Sequence, residues 1–283
     1  MIDFNKLENP YLIGEIGINH NGDINIAKKL IDACFSCGWN SAKFQKRNPD
    51  ISVPKDQKNI PKETPWGKMT YLDYKHRIEF GKNEYDYINK YCNEKPLDWS
   101  ASVWDLSSLE FILNYTVPFI KIPSAKLTEE ELLIESAKSG YQLIVSTGMS
   151  TLSEVDSAVN ILEKYAKSYA LLHTNSVYPT DDEELNLNTI PFLKERFDCV
   201  VGYSGHEYGL TPSVIAVSLG AKIVERHITL GHRMWGTDQS ASLEITGMDV
   251  LKKRLYKINN MKGDYDKKLF DSELPNREKL RGM

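Results

Sequence analysis

The chain has 283 residues, of which 41% are hydrophobic and 26% charged, and a formal net charge of -4 at pH 7. Those values fit one large globular domain, since an α/β barrel commonly runs to about 250 residues. No basic surface points to nucleic acid. No apolar run approaches the ~20 residues of a membrane span, and the opening Met-Ile-Asp-Phe-Asn-Lys lacks a signal peptide's apolar region, so a cytoplasmic location is expected.

Short β-like runs recur in chain order at residues 12–18, 41–45, 98–102, 119–122, 142–146, 169–174, 199–204 and 222–227. Amphipathic stretches separate them. The first, residues 24–37, places Ile26, Leu30, Ala33 and Cys37 on one face. Its Cys34-x-x-Cys37 has no second pair at zinc spacing, so both cysteines read as small packed side chains. The next connection, residues 47–80, carries Pro49, Pro54, Pro61 and Pro65. It reads as an irregular excursion over the mouth of the fold, and long ordered loops of this kind tend to be functional. Residues 153–167 form the clearest helix, with Val155, Val159, Leu162 and Ala166 on one face and Ser153-x-x-Asp156 resembling a capping box. Residues 209–220 read as helix with Leu210, Val214, Val217 and Leu219 aligned. Eight alternating units without a flexible linker predict a closed (β/α)8 TIM barrel spanning residues 1–283.

In such a barrel the strand C-termini build the site. Read in order, those ends offer Glu15, Asn19 and His20; Lys43 and Gln45; Ser100 and Ser102; Lys121 and Ser124; Ser146, Thr147 and Gly148; Asn175, Ser176 and Tyr178; Ser204 and His206; and His227. Each serine alone reads first as a turn or cap residue. Together, two lysines and several hydroxyls suit an oxygen-rich anion, most simply a phosphate with a nearby carboxylate. His206 and His227 close successive apolar runs around residues 209–220, so a parallel βαβ unit brings them together. Imidazole pairs suit Zn, Mn, Fe or Cu and leave positions open for substrate or water. The plainer alternative is one histidine capping a turn and one buried.

Gly14-Glu-Ile-Gly-Ile-Asn-His-Asn-Gly22 resembles the opening motif of the sialic acid (N-acetylneuraminate) synthases. Lys43-Phe-Gln45, Ile120-Lys-Ile-Pro-Ser124, Val145-Ser-Thr-Gly-Met149, His173 through Tyr178-Pro179, Tyr203-Ser-Gly-His206 and Glu225-Arg-His227 resemble the same family, in order. The resemblance implies a barrel enzyme that condenses phosphoenolpyruvate with an open-chain aldose of N-acetylmannosamine or mannose type. The products are a nonulosonic acid and phosphate. It implies a divalent metal on His206 and His227, Mn2+ first, with Mg2+ or Co2+ as alternatives. Phosphoenolpyruvate-holding positions match Lys43, Ser102, Lys121, Ser124, Ser146 and Ser204. Glu15 matches the residue that handles a proton or activates water. Gln45, Tyr178 and Asp238 match positions near sugar and metal, and Ser176 falls where Asn or Ser is usual. A homodimer without nucleic-acid or membrane partners is implied.

Two departures bear on the sugar. The C-terminal antifreeze-like domain of many members is expected to be absent, and with it the arginine that reads an N-acetyl group. Arg233-Met-Trp-Gly-Thr-Asp-Gln239 keeps Met234, Gly236 and Asp238 of the usual pattern but changes Trp235, Thr237 and Gln239. A free, unphosphorylated aldose is therefore the expected acceptor, with Trp235 either facing the sugar or packing its loop. The rival readings are an eight- or seven-carbon keto-acid synthase using a phosphorylated sugar, a silent sugar-binding protein, and a metal-dependent hydrolase.

Overall fold

The computed structural model describes residues 2–264 and 266–282; residues 1, 265 and 283 of the expected domain lie outside the described residues. The eight barrel strands are β1 (Tyr11–Gly17), β2 (Ser41–Lys46), β3 (Asp98–Val103), β4 (Ile120–Ile122), β5 (Leu143–Ser146), β6 (Tyr169–His173), β7 (Val200–Gly205) and β8 (Ile223–His227). They close in the order β1-β8-β7-β6-β5-β4-β3-β2, all parallel.

Side chains alternate across each strand, so every second residue enters the barrel. The lower interior is apolar: Tyr11, Ile13, Phe119, Ile144, Ala170, Leu172 and Ile223 pack together with Phe4 from the N-terminal turn. One step further along the same strands, the inward positions become Glu15, Lys43, Ser146, Ser204 and Glu225. The outward positions join a separate, larger core with the helices, including Leu12, Ala42, Val145, Leu171 and Val224. A dry layer thus supports a polar layer directly above it.

The helix over residues 24–37 is present as Ile24–Ser36, capped by Asp23 and burying Cys34 against the sheet. Cys34 and Cys37 are free thiols in the core, as expected for packed side chains. One local expectation is corrected and one is extended. The helix Leu152–Tyr165 begins earlier than Ser153, and its capping box is Thr151 with Glu154. The helix Thr211–Ser218 buries Val217 and packs Leu210, Val214 and Leu219 on the core as expected, and it buries Ser213 and Ala216 as well. Ser213 is turned inward because its Oγ accepts a 3.0 Å hydrogen bond from Arg226.

The long excursion is also not irregular. It contains the short helix Pro49–Ser52, a hairpin pairing Pro61–Thr64 with Gly67–Thr70, and the helix Tyr71–Ile78. Tyr74 and Ile78 pack on Ile18 beyond β1, so this unit sits at the mouth. Trp235 packs its own loop against the excursion, with ring centroids 5.5 Å from Trp66 and 5.3 Å from Tyr74.

Candidate active site

A cavity of about 220 Å³ opens at the C-terminal end of the barrel. It is lined by Glu15, Lys43, Gln45, Ser102, Lys121, Ser124, Ser146, Ser176, Tyr178, Ser204, His206 and His227, which are all the expected site residues except Asp238. Asp238 approaches from the loop after β8, its carboxylate 3.9 Å from His227 Nδ1. A larger depression of about 780 Å³ adjoins at Thr174 and Ser176, but it contains none of the cations or paired histidines. Of the other mouth residues, Asn19 is committed to Ile228 O and Ser242 Oγ, His20 stacks on Phe80, and Ser100 donates to Phe119 O.

The cavity floor differs from the expected cluster of free cations. Lys43 Nζ lies 2.5 Å from Glu15 and donates to Ser102 Oγ at 2.8 Å. Lys121 pairs with Glu225 at 3.2 Å, and Glu225 also receives Ser204 Oγ–H and stands 3.7 Å from Lys43. All four charged side chains are buried. Burial alone would raise the Glu225 carboxyl, but Lys121 and then Lys43 hold it down at about 2. Burial lowers the Lys121 ammonium, and Glu225 opposes that shift. Glu225 lies in the expected strand and in the Glu225-Arg-His227 motif, but no site role was assigned to it. Counting back two residues from His227 would have placed it inside. Trp104, just beyond β3, also lines the cavity and was not anticipated.

On the opposite wall, Gly148 N–H donates to Ser124 Oγ at 3.1 Å. A Cβ at Gly148 would stand 2.4 Å from Ser176 Oγ and 2.8 Å from Ser124 Oγ, so only glycine lets the two hydroxyls converge. Ser146 Oγ is buried nearby without a hydrogen-bond partner among the described residues. Enclosed donors of this kind are left for a ligand's oxygens.

His206 and His227 do converge, with ring centroids 5.5 Å apart, and Tyr178 lies 3.9 Å from the His206 ring. His206 Nδ1 is 2.6 Å from Asn175 O, which fixes the Nδ1–H tautomer and leaves Nε2 as the lone-pair donor. Burial, then His227, holds the His206 imidazole at about 3, hence neutral. His227 Nδ1 is buried with no hydrogen-bond partner. Two converging imidazoles with nitrogens left unpaired by the protein fit a divalent cation. Among the described residues no set of three His, Cys, Asp or Glu side chains is poised for a metal. At Gly17, φ is +54°, and a Cβ would stand 3.2 Å from Glu15, Gln45 and His227 alike. Glycine there brings acid, amide and imidazole to one point.

The histidines are braced from behind. Arg226, pointing outward beside His227, pairs with Glu207, beside His206, at 2.8 Å in a fully buried contact. Tyr203 O–H donates to the same carboxylate at 2.7 Å. One ion pair therefore ties together the two chain segments that present the imidazoles.

A barrel whose mouth gathers two buried lysines, serine hydroxyls and two converging imidazoles has the groups expected of a synthase that brings a phosphorylated small molecule to a second substrate. Comparisons with known proteins agree. The NeuB family matches residues 30–267. The chain is 34% identical over 273 residues to N-acetylneuraminate-9-phosphate synthase of Homo sapiens, covering 95% of this chain and 76% of that one. It is 32% identical over 275 residues to N,N'-diacetyllegionaminic acid synthase of Campylobacter jejuni, covering 95% and 82%. The solved N-acetylneuraminic acid synthetase of Leptospira borgpetersenii superposes with a TM-score of 0.85 at 28% identity, over 98% of this chain and 94% of that one. A heptulosonate-phosphate synthase from Thermotoga maritima shares the fold alone, at 11% identity and a TM-score of 0.68. The chain belongs to the NeuB family. It is thus a metal-dependent, phosphoenolpyruvate-using sugar-acid synthase that forms a carbon–carbon bond, not a hydrolase or a silent sugar binder.

Proposed function

We propose that this chain condenses phosphoenolpyruvate with an open-chain aldose of N-acetylmannosamine or mannose type, releasing phosphate and a sialic-acid-like 2-keto-3-deoxy sugar acid. The observation that carries the reading is the cavity in which Lys43, Lys121 and five serines face His206 and His227. His206 and His227 hold a divalent cation, Mn2+ before Mg2+ or Co2+, which polarises the acceptor aldehyde when bound. Lys121, Lys43, Ser102, Ser124, Ser146, Ser176 and Ser204 hold the phosphate and carboxylate of phosphoenolpyruvate. Because the lysines are already paired, substrate binding exchanges carboxylate contacts for phosphate contacts and does not fill an empty cationic hole.

Carbon 3 of phosphoenolpyruvate forms the new bond to the aldehyde carbon. Water adds at carbon 2, and the carbon–oxygen bond to phosphate then breaks. Glu15, released from Lys43, accepts the proton of that water. Gln45, Tyr178 and Asp238 orient the acceptor beside the histidines, so that both reactants meet in one geometry. The chain works in the cytoplasm as a homodimer in this reading, within nonulosonic acid synthesis for cell-surface polysaccharide. The test uses phosphoenolpyruvate labelled with oxygen-18 at the bridging position, Mn2+ and a panel of aldoses. The label is expected in inorganic phosphate, in step with loss of the aldose. Label in the keto acid would overturn the assignment.

A further inference from the structure

The ladder between β7 and β8 ends where Gly205 faces Arg226, one residue short of each histidine. His206 already lies outside β7. Its carbonyl accepts a 3.2 Å hydrogen bond from Thr180 N–H, and its ring is held by Asn175 O. Both contacts come from the segment after β6, and neither reaches β8. A side-chain pair makes the tie across: Glu207, the residue after His206, and Arg226, the residue before His227.

The pair admits one arrangement. Both side chains are wholly buried, 2.8 Å apart. Arg226 Nη1 also donates to Gly209 O and Ser213 Oγ, each at 3.0 Å, and Nη2 donates to Glu207 O at 2.7 Å. The guanidinium thus grips the backbone of the His206 segment as well as its carboxylate. Glu207 Oε2 accepts from Tyr203 O–H at 2.7 Å, which stops the carboxylate from swinging away. Gly205 makes the room: a Cβ there would stand 2.5 Å from Glu207 Oε2 and 2.7 Å from the Tyr203 ring. Glu207, Arg226 and Tyr203 do not line the cavity, so none of them is placed to touch a substrate.

Stability alone does not call for charge here. Apolar side chains of similar volume in place of a buried ion pair are often neutral or stabilising. What the hydrogen-bonded pair adds is a fixed orientation. It holds the two chain segments at one separation, whereas apolar packing tolerates several.

We propose that Glu207 and Arg226 are positioning residues for the metal: acting through His206 and His227, they set the spacing of the two imidazoles and with it the affinity for a divalent cation. This rests on the metal assignment of the reaction proposed above. A cation held by two protein ligands depends on their mutual placement, and groups that orient metal ligands from behind govern roughly tenfold to a hundredfold in affinity.

Mn2+ alone, titrated into the full chain and followed by the electron paramagnetic resonance of the unbound ion, tests the assignment. Urea unfolding and calorimetric binding of phosphoenolpyruvate without metal are read in parallel. Glu207→Leu with Arg226→Met replaces the pair by apolar side chains of similar size. This double variant is expected to keep the parental unfolding midpoint and, within about threefold, the phosphoenolpyruvate affinity, while Mn2+ affinity falls about tenfold to a hundredfold. Glu207→Gln keeps an oxygen acceptor for Tyr203 and the volume of the side chain. It should show the same split with a loss of about threefold to tenfold, and it carries the test if the double variant does not fold. Unchanged Mn2+ affinity in the folded variants would overturn the inference, because the pair would then only pack the wall. Equal losses for Mn2+ and phosphoenolpyruvate would also overturn it, since they mark a loosened mouth. A parent chain that binds no Mn2+ would overturn the metal assignment itself, and this inference with it.

Discussion

The cavity floor and the excursion above it use the same cations in opposite ways. On the floor, Lys43 and Lys121 meet Glu15 and Glu225, and every charge has a partner within 4 Å. In the excursion, Arg47, Lys62 and Lys75 outnumber the carboxylates that reach them, which are Asp238 and the Glu79 already paired with Lys46. A balanced buried set holds its shape before substrate arrives and must break contacts to bind. An unbalanced set carries a folding cost. The two regions therefore read as preorganised chemistry below and uncompensated charge above.

The largest expected effect is on the floor. Lys121→Ala leaves Glu225 with the Ser204 hydroxyl and only the 3.7 Å contact to Lys43 as a counter-charge, and breaking a buried pair from one side costs about 3–5 kcal/mol. The unfolding midpoint in urea should fall accordingly. Phosphoenolpyruvate affinity should drop about tenfold to a hundredfold, the equivalent of one charge-assisted contact of roughly 1.5–3 kcal/mol. Adding Glu225→Ala should recover stability and leave the affinity low. Recovery of both would show that Lys121 serves only the pair.

The excursion should respond in the opposite sense. Lys75→Met removes an uncompensated buried cation, so stability should stay within about 1 kcal/mol of the parent or rise. A loss near that of Lys121→Ala, read by the same urea titration, would erase the contrast between the regions.

The smallest effect is on acid stability. Glu225 is depressed from 4.5 to about 2, so its contribution is fully present above pH 4.5 and is lost as the pH falls toward 2. Glu225→Gln should flatten the stability profile between those values. An unchanged slope there would mean that the pair does not hold the carboxylate ionised.

The two regions also differed in how much of them was legible. The eight strands lie within about two residues of their expected positions, because each is a short apolar run between turn signals. The polar mouth followed from strand order, since in a closed barrel all C-termini share one end. Period-two counting could have added Glu225 but not its pairing with Lys121, which depends on β4 and β8 facing across the barrel. The excursion was opaque. Its hairpin has no apolar alternation, with both strands exposed or half-buried, and its prolines suggested disorder of form. What organises it is long-range: Trp66 and Tyr74 pack on Trp235, far along the chain. The buried Glu207–Arg226 brace was likewise invisible, because the pairing depends on how the segments after β7 and along β8 meet in three dimensions.

The central claim is that the imidazole pair and the balanced floor together carry out one condensation. The most direct measurement follows phosphoenolpyruvate, aldose and inorganic phosphate simultaneously with Mn2+, for the parent chain, His206→Ala and His227→Ala. The account predicts one-to-one-to-one stoichiometry in the parent and a loss of about a thousandfold or more, roughly 4 kcal/mol of barrier, in each variant with its unfolding midpoint retained. Phosphate release without loss of aldose, or near-parental turnover in both variants, would contradict it.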